Sequence, residues 1–423
     1  MAVEMDKYTL KGSRNKTNWA LLLLIFIMPL RNLQIQYIPN LGGGINLINI
    51  LFILSVYHAM SHGKKSLNSL SLNSYLKWYI LTSIIALTVG YMFLEEEASG
   101  NWKTMKDQLI PIFLVFIVQR SASDAVQWRR IFLACLLPLP YCFKVVWTQY
   151  LSVSSWHYSD DLRLSGTFMD LGANEMAAYS ITIALICLGC LITCWDEVKY
   201  RYFFIMIFIF SGASLLYSYS RGGYIAFLLG ALIIIFKYKN TGKLLLPVFI
   251  ILSICMLNLP PSVSERFSSI DAEEGERDES AESRFVFWEV AFNSYLRRPV
   301  AGYGYLTAQD SRINPYEMDT HNYYVKMLVE RGTLGFITYL LLLRILWVTV
   351  RKNIDWNNQD NIVNGLILGM SGAIAALMLG NMFGDRFSHY PIITSFFVFI
   401  ALISISKEVS NSEVTENDNK KID

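Results

Sequence analysis

Two short polar motifs interrupt the apolar parts of this 423-residue chain, and each carries a side chain suited to group transfer. His321 stands with Asn322 directly before a long apolar run. An imidazole titrates near neutral pH, so it can take a proton from a hydroxyl group. The second motif, Ser220-Arg221-Gly222-Gly223, is the only break between two apolar runs, where a charged residue is costly and indicates a function. The two motifs suggest a site that binds an anion and accepts a proton.

Each motif also has a simpler explanation. A lone histidine at the end of an apolar segment is often an interface residue, and an arginine there can extend its guanidinium to lipid phosphates. For Arg221 we favour the anion site, because the glycine pair that follows it leaves backbone N–H groups exposed beside the guanidinium.

A polar segment from Pro260 to Thr320 precedes His321, and it contains arginines but no lysine. A guanidinium matches phosphate or carboxylate oxygens in pairs, so these arginines suggest an anionic ligand. Alternatively they pair with the segment's own acids, between Asp271 and Glu282. Arg284 lies near the start of a predicted helix, where backbone amides also favour anions. The arginines are Arg266, Arg277, Arg284, Arg297, Arg298 and Arg312.

Two further motifs supply polar candidates for the same face. Arg163 begins the sequence Arg163-Leu164-Ser165-Gly166-Thr167-Phe168, which is followed by Asn174, and Asp385 and Arg386 precede the last apolar run. We predict that Arg163, Asn322, Asp385 and Arg386 contact the substrate.

The composition indicates an all-α integral membrane protein that crosses the bilayer several times. Its mean hydropathy is +0.36 and only 17% of its residues are charged, whereas about 25% is typical of soluble proteins. Nucleic acid is an unlikely partner. The chain has no nucleotide-binding glycine loop, no His-Glu-x-x-His motif and no cysteine-rich spacing, so we expect neither ATP-driven transport nor a metal cofactor.

A span needs about twenty apolar residues, and this criterion predicts about twelve spans. Lys and Arg collect on alternate connections, which predicts cytoplasmic N- and C-termini. The chain then divides into spans one to nine (1–259), a large outer loop or lid (260–320), spans ten to twelve (321–406) and a disordered cytoplasmic tail (407–423). The predicted spans are 17–38, 44–60, 76–94, 106–119, 130–151, 171–195, 201–219, 222–237, 243–259, 321–350, 361–383 and 388–406.

Within the outer loop, residues 282–298 are predicted to form an amphipathic helix that Pro299 ends. Its aromatic residues recur at spacings of three and four and form one stripe, typical of a helix lying on lipid headgroups or across the ends of the spans. Further along, Gly332-Thr333-Leu334-Gly335 predicts close packing between helices. The stripe consists of Phe285, Trp288, Phe292 and Tyr295.

Taken together, these motifs resemble the superfamily of bacterial O-antigen ligases and O-antigen polymerases. The similarity lies in the order of four short motifs on one face, over roughly residues 160–345. They are Arg163 to Phe168 with Asn174; Ser220-Arg221-Gly222-Gly223; Arg284 with Trp288 and then Arg298-Pro299-Val300-Ala301-Gly302-Tyr303-Gly304; and His321-Asn322-Tyr323-Tyr324 with Glu330, Gly332 and Gly335.

The resemblance implies an inner-membrane glycosyltransferase that works on the periplasmic face without a metal. The donor would be a glycan linked to undecaprenyl diphosphate, and the acceptor a hydroxyl group of the lipid A core or of a growing glycan. Arg221 and Arg284 would bind the diphosphate, His321 would act as general base, and the sugar carbon would be inverted.

The sequence leaves three functions open. We favour ligation to the lipid A core, and polymerisation of O-antigen or capsule repeat units is the main alternative. A polysaccharide or lipid transporter would be expected to show internal repeats, and no convincing repeat is visible.

Overall fold

The computed structural model describes residues 16–37, 46–63, 70–94, 101–153, 162–238, 279–356 and 360–410, and every structural statement below concerns these residues. Their regular structure is helical throughout, which confirms the predicted all-α class. The ninth predicted span and the first part of the outer loop lie outside the described residues. Residues 407–410, predicted as part of a disordered tail, continue the last helix by one turn.

The helices follow the predicted apolar runs closely. Before residue 239 they are α1 (Trp19–Ile27), α2 (Arg31–Tyr37), α3 (Leu47–His62), α4 (Leu70–Leu94), α5 (Asn101–Ser121), α6 (Ala125–Leu136), α7 (Leu139–Ser152), α8 (Ala173–Thr193), α9 (Val198–Leu216) and α10 (Arg221–Lys237). After residue 278 they are α11 (Glu279–Arg297), α12 (Tyr323–Asn353), α13 (Asn361–Gly380) and α14 (Tyr390–Ser404).

Six of these helical segments are long and apolar enough to cross a membrane, or seven if the bent pair α1–α2 counts as one span, among the described residues. This supports a polytopic membrane protein but not the predicted number of twelve spans. The prediction counted apolar runs, and several of them are too short or too polar as helices: α3 and α14 have 16 and 15 residues, and α5 carries charged residues at both ends.

The first predicted span, 17–38, is not one straight helix. α1 and α2 meet at an angle of 100°. Pro29 lies in the bend, where its missing N–H and its ring prevent α1 from continuing. Side chains supply hydrogen bonds to the carbonyl groups of the bend: the amide nitrogen of Gln34 donates to the carbonyl oxygens of Ile27 at 2.8 Å and Met28 at 3.1 Å, and the Thr167 hydroxyl donates to that of Pro29 at 2.8 Å.

Glycines bring α8, α10 and α13 into close contact. A Cβ atom at Gly369 of α13 would lie 2.6 Å from the Cα of Ile186 on α8. A Cβ at Gly230 of α10 would lie 2.9 Å from the carbonyl oxygen of Gly372. The backbones therefore approach as closely as small residues allow, as is typical of packing between membrane helices. This core holds the N-terminal ends of α8 and α10.

Helix α12 is broken at Gly332, where the backbone has φ 61° and ψ −167°. The break is filled by residues 299–305, which we call the docking segment. The N–H of Thr333 donates to the carbonyl oxygen of Pro299 at 2.7 Å, and the N–H of Tyr303 donates to that of Val329 at 2.9 Å. Gly332 and Gly335 were predicted to serve close helix packing, but Gly332 makes room for the docking segment: a Cβ there would lie 2.7 Å from the amide nitrogen of Ala301.

The helix predicted over residues 282–298 is present as α11, but its buried face is not the aromatic stripe. Phe287, Ala291 and Ser294 are buried, whereas the side chains of Phe285 and Phe292 are 68% and 50% exposed. This buried face packs against α12 and the loop that precedes it. Two of the most apolar side chains of α11 therefore face outward.

Candidate functional site

His321 lies in a strained turn at the start of α12. Its φ of 48° is in the left-handed region, which residues other than glycine adopt at a cost of about 1 kcal/mol or more. The neighbours hold this turn. Trp288 of α11 donates from its indole N–H to the carbonyl oxygen of Thr320 at 2.7 Å, and the Thr320 hydroxyl donates to the carbonyl oxygen of Asn322 at 3.2 Å. The His321 side chain is still 46% exposed, so a substrate can reach it.

Charged groups from several parts of the chain converge on His321. Burial is the largest influence on its pKa, and the guanidinium groups of Arg284 on α11 and Arg386 before α14 act in the same direction. The carboxylates of Asp319 and Glu175 oppose them, and the net result is a pKa below the ordinary value of histidine. The imidazole is therefore neutral at pH 7, the state in which it can accept a proton.

Arg386 is held by Glu175, which stands in the first turn of α8. The two side chains form an ion pair and are only 11% and 10% exposed. The backbone N–H of Arg386 also donates to the side-chain oxygen of Asn381 at 3.0 Å. The sequence analysis gave no role to Glu175. Its one sequence signal is an acidic residue in the first turn of an otherwise apolar helix.

Asp385 and Asn322, both predicted to bind substrate, use their side-chain oxygens within the protein. The carboxylate of Asp385 pairs with Lys326 of α12 and accepts a hydrogen bond from Ser388. Burial alone would raise the pKa of Asp385. The positive charge of Lys326 and the hydrogen bonds that the carboxylate accepts from Lys326 and Ser388 hold this pKa below its ordinary value. The side-chain oxygen of Asn322 accepts from the N–H groups of Tyr324 at 3.0 Å and Val325 at 3.3 Å, so Asn322 caps α12.

Arg163 connects three elements near the same end of the bundle. Its guanidinium donates to the side-chain oxygen of Asn174 at 2.5 Å and to the carbonyl oxygen of Ser218 at 3.4 Å. Asn174 precedes Glu175, the partner of Arg386, and Ser218 stands three residues before Arg221. Arg163 thus links the loop before α8 to the loop before α10.

Arg221 is the first residue of α10. Ser220 caps this helix, because its hydroxyl oxygen accepts from the N–H of Gly223 at 3.3 Å. A Cβ at Gly222 would lie 3.6 Å from that of Phe383, and a Cβ at Gly223 would lie 3.3 Å from that of Ala177. The first turn of α10 therefore packs against α8 and against the connection that carries Arg386. The glycine pair was predicted to expose N–H groups, but that of Gly223 is buried and donates to Ser220, and the pair makes this packing possible.

Other arginines of the outer loop have a structural role. The guanidinium of Arg298 lies 5.0 Å from the ring centre of Phe93 and 4.9 Å from that of Tyr303. Arg312 lies 5.1 Å from the ring centre of Phe93 and pairs with Asp310 at 2.7 Å. Both guanidinium groups lie over aromatic rings, and that of Arg312 also pairs with a carboxylate of the loop. These contacts explain why the two positions carry arginine. Arg266 and Arg277 lie outside the described residues.

Comparison with known proteins agrees with the family resemblance. Residues 205–340 match the family model described as O-antigen ligase, and this range contains Arg221, Arg284 and His321. An uncharacterised protein of Haemophilus influenzae is 25% identical in an alignment of 199 residues, which covers 39% of this chain. The alignment spans half the length of that relative.

Proposed function

On the premise that this chain belongs to the O-antigen ligase and polymerase superfamily, we propose that it moves a glycan from undecaprenyl diphosphate to a hydroxyl acceptor. The observation that carries the proposal is that Arg284 lies near enough to His321 to lower the pKa of this histidine, whose side chain is about half exposed. A lipid diphosphate leaving group calls for guanidinium groups, and a hydroxyl acceptor calls for a base.

In this proposal Arg284 and Arg221 bind the diphosphate. They offset the negative charge that grows on the leaving oxygen as the bond between it and the sugar carbon C1 breaks, without a metal. A well-placed donor of this kind contributes about 3 to 4 kcal/mol to transition-state stabilisation. Arg386 is paired with Glu175, so we assign it to shaping the field around His321. Asn322, Asp385 and Arg163 then position the site, in place of the substrate contacts predicted from the sequence.

His321 removes the proton of the acceptor hydroxyl while the hydroxyl oxygen attacks C1 from the side opposite the diphosphate. The sugar carbon is inverted by this direct displacement. General base catalysis of this kind contributes about 10² to 10⁴ in rate. Outside the cytoplasm no nucleotide sugars are supplied, so the donor must be linked to a lipid. We propose that the protein lies in the bacterial inner membrane, with its termini in the cytoplasm and the site on the periplasmic face.

The acceptor that we favour is the lipid A core, because the matching family model is described as O-antigen ligase. The alternative is a second lipid-linked repeat unit, which would make the protein a polymerase. Purified full-length protein in lipid nanodiscs, given lipid-linked glycan with either acceptor, separates the two. Transfer to the core acceptor supports ligation, and chain extension without core acceptor overturns it.

The assignment of Arg284 is tested with a matched pair of variants on α11. Arg284→Lys keeps the charge but loses the paired N–H donors, so we expect transfer to fall by about 10² or more. Arg297→Lys makes the same change in the last turn of the same helix, where the side chain is exposed, and transfer should remain within about twofold of the wild-type rate. Equal rates for the two variants would remove Arg284 from the diphosphate site.

A further inference from the structure

Asp319 stands two residues before His321 and faces it. One carboxylate oxygen of Asp319 lies 3.9 Å from Nδ1 of His321. The side chain is only 22% exposed, and its other oxygen is buried and accepts no hydrogen bond from the described residues. A buried carboxylate oxygen without a donor is costly, so its retention beside a histidine indicates a role.

We propose that Asp319 is the positioning residue of His321: it faces Nδ1, leaves Nε2 for the acceptor hydroxyl and offsets the positive charge that His321 gains. This inference rests on the proposed function, in which His321 is the base. Asp319 acts through His321 and does not contact the substrate.

The charges around His321 explain why such a counter-charge is needed. Arg284 from α11 and Arg386 from the connection before α14 both disfavour a protonated imidazole. Glu175 from α8 acts in the opposite direction, but its carboxylate already pairs with Arg386. Asp319 is the stronger of the two opposing carboxylates, and it lies on the same turn as His321. The diphosphate needs Arg284, and Asp319 lets a histidine beside this arginine still accept a proton.

The backbone fixes the direction in which His321 points. Thr320, between the two residues, is fully buried and is held from both sides by Trp288 and by its own bond to the Asn322 carbonyl oxygen. The left-handed conformation of His321 reverses the chain directly after Thr320. Nδ1 therefore faces Asp319, and Nε2 is the nitrogen that remains for a hydroxyl group. At 3.9 Å the carboxylate oxygen and Nδ1 are beyond hydrogen-bond distance, so the interaction between them in this structure is electrostatic.

The reaction step is balanced without a further reactant. The acceptor O–H bond breaks and its proton goes to Nε2 of His321, while a bond forms between the acceptor oxygen and C1. The bond between C1 and the diphosphate oxygen breaks, and the diphosphate leaves with the electron pair. The imidazolium then releases its proton to water. Asp319 faces the imidazolium and offsets its positive charge.

A titration of His321 tests the inference without any transfer reaction. Diethyl pyrocarbonate acylates neutral imidazoles, and peptide mass spectrometry follows the extent at His321 as the pH is varied in the full-length protein. Asp319→Asn removes the negative charge, so the midpoint should move to lower pH by about half a unit to one unit. Asp319→Glu retains the charge and should keep the wild-type midpoint. Asp319→Ser is the second neutral variant if the amide does not fold.

Glu317→Gln is the matched control, because it removes a carboxylate that lies two residues before Asp319 and is exposed to water. Its effect on the midpoint should be below about 0.2 units, since water screens an exposed charge. An unchanged or raised midpoint in Asp319→Asn, or an equal shift in Glu317→Gln, would overturn the role of Asp319.

The pH dependence of glycan transfer then separates this inference from the proposed function. In Asp319→Asn the acidic limb of the kcat/KM profile should move to lower pH with the titration midpoint, and the plateau should fall by about threefold to tenfold as the base weakens. If His321→Asn transfers glycan at the wild-type rate, the proposed base is wrong whatever Asp319 does. If His321→Asn is inactive but Asp319→Asn keeps the wild-type profile, only the role of Asp319 fails.

Discussion

His321 and Gly332 are both left-handed residues of the same stretch of chain, yet their surroundings are opposite. Gly332 is buried inside the break of α12, where the docking segment leaves no room for a side chain. His321 has a side chain that is 46% exposed and faces charged groups from several elements. The conformation at position 332 demands glycine. At position 321 glycine would be less strained, and the chain nevertheless carries histidine.

The comparison distinguishes a residue that is required by backbone packing from a residue that is required for the chemistry of its side chain. A left-handed residue that is crowded on all sides is explained by packing. His321 is left-handed too, but its accessible side chain faces charged groups from several elements, so we infer that its strain is kept for the sake of that side chain. The two positions therefore respond to substitution in opposite ways.

The largest expected effect is on activity at position 321. His321→Gly removes the base and relieves the backbone strain, so glycan transfer should fall by about 10² to 10⁴ while the midpoint of thermal unfolding stays within a few degrees. Both are measured on purified protein in nanodiscs. His62→Ala, at the exposed end of α3, is the control and should alter neither quantity. A loss of stability as large as the loss of activity would make His321 a structural residue like Gly332.

The next effect is on stability at position 332. Gly332→Ala places a Cβ against the docking segment and forces a strained φ, so we expect a loss of about 2 to 4 kcal/mol in the free energy of unfolding. Thermal unfolding of the detergent-solubilised protein measures it. Gly212→Ala on α9 is the matched control, because a Cβ there meets no atom within 4 Å. Gly332→Ala with the stability of Gly212→Ala would contradict the packing role.

The smallest effect concerns Asn322, which lies next to His321 but acts as a cap. Asn322→Ala should lower the free energy of unfolding by about 1 kcal/mol, with less than a tenfold loss of transfer. Asn46→Ala removes an equivalent cap from α3, where the side-chain oxygen accepts from the N–H of Asn49 at 2.9 Å, and should cost the same stability. A loss of transfer above a hundredfold in Asn322→Ala alone would restore the substrate contact predicted from the sequence.

Local features of the fold were predictable from the sequence. Apolar runs located the helices, and Pro299 marked the end of α11 within two residues. The bend between α1 and α2 was missed, because an unbroken count of apolar residues outweighed Pro29. The break at Gly332 was missed for another reason: its hydrogen bonds come from the docking segment, and no local pattern at Gly332 reveals a partner elsewhere in the chain.

The candidate site divides in the same way. His321, Arg221 and Arg284 stood out by residue type and position in apolar surroundings. Glu175 did not, since its partner Arg386 is 211 positions away and nothing in either neighbourhood indicates the pairing. Asn322 and Asp385 were assigned to the substrate because they are polar and near the site. Their hydrogen bonds to the chain itself become visible only in the folded structure.

The docking segment also holds the C-terminal end of α11, so a tilt of this helix about that end would displace its N-terminal part the most. Its C-terminal end is fastened at Pro299, whereas Arg284 stands thirteen residues before Arg297, about 20 Å along the helix axis. A tilt of about 5° at the fastened end would move Arg284 by about 2 Å, and displacements of about 1 Å already cost large factors in rate. A hydrogen bond from the Trp288 indole to the Thr320 carbonyl oxygen joins the N-terminal half of α11 to the turn of His321. The Trp288 indole thereby helps to fix the distance between the guanidinium of Arg284 and the imidazole of His321.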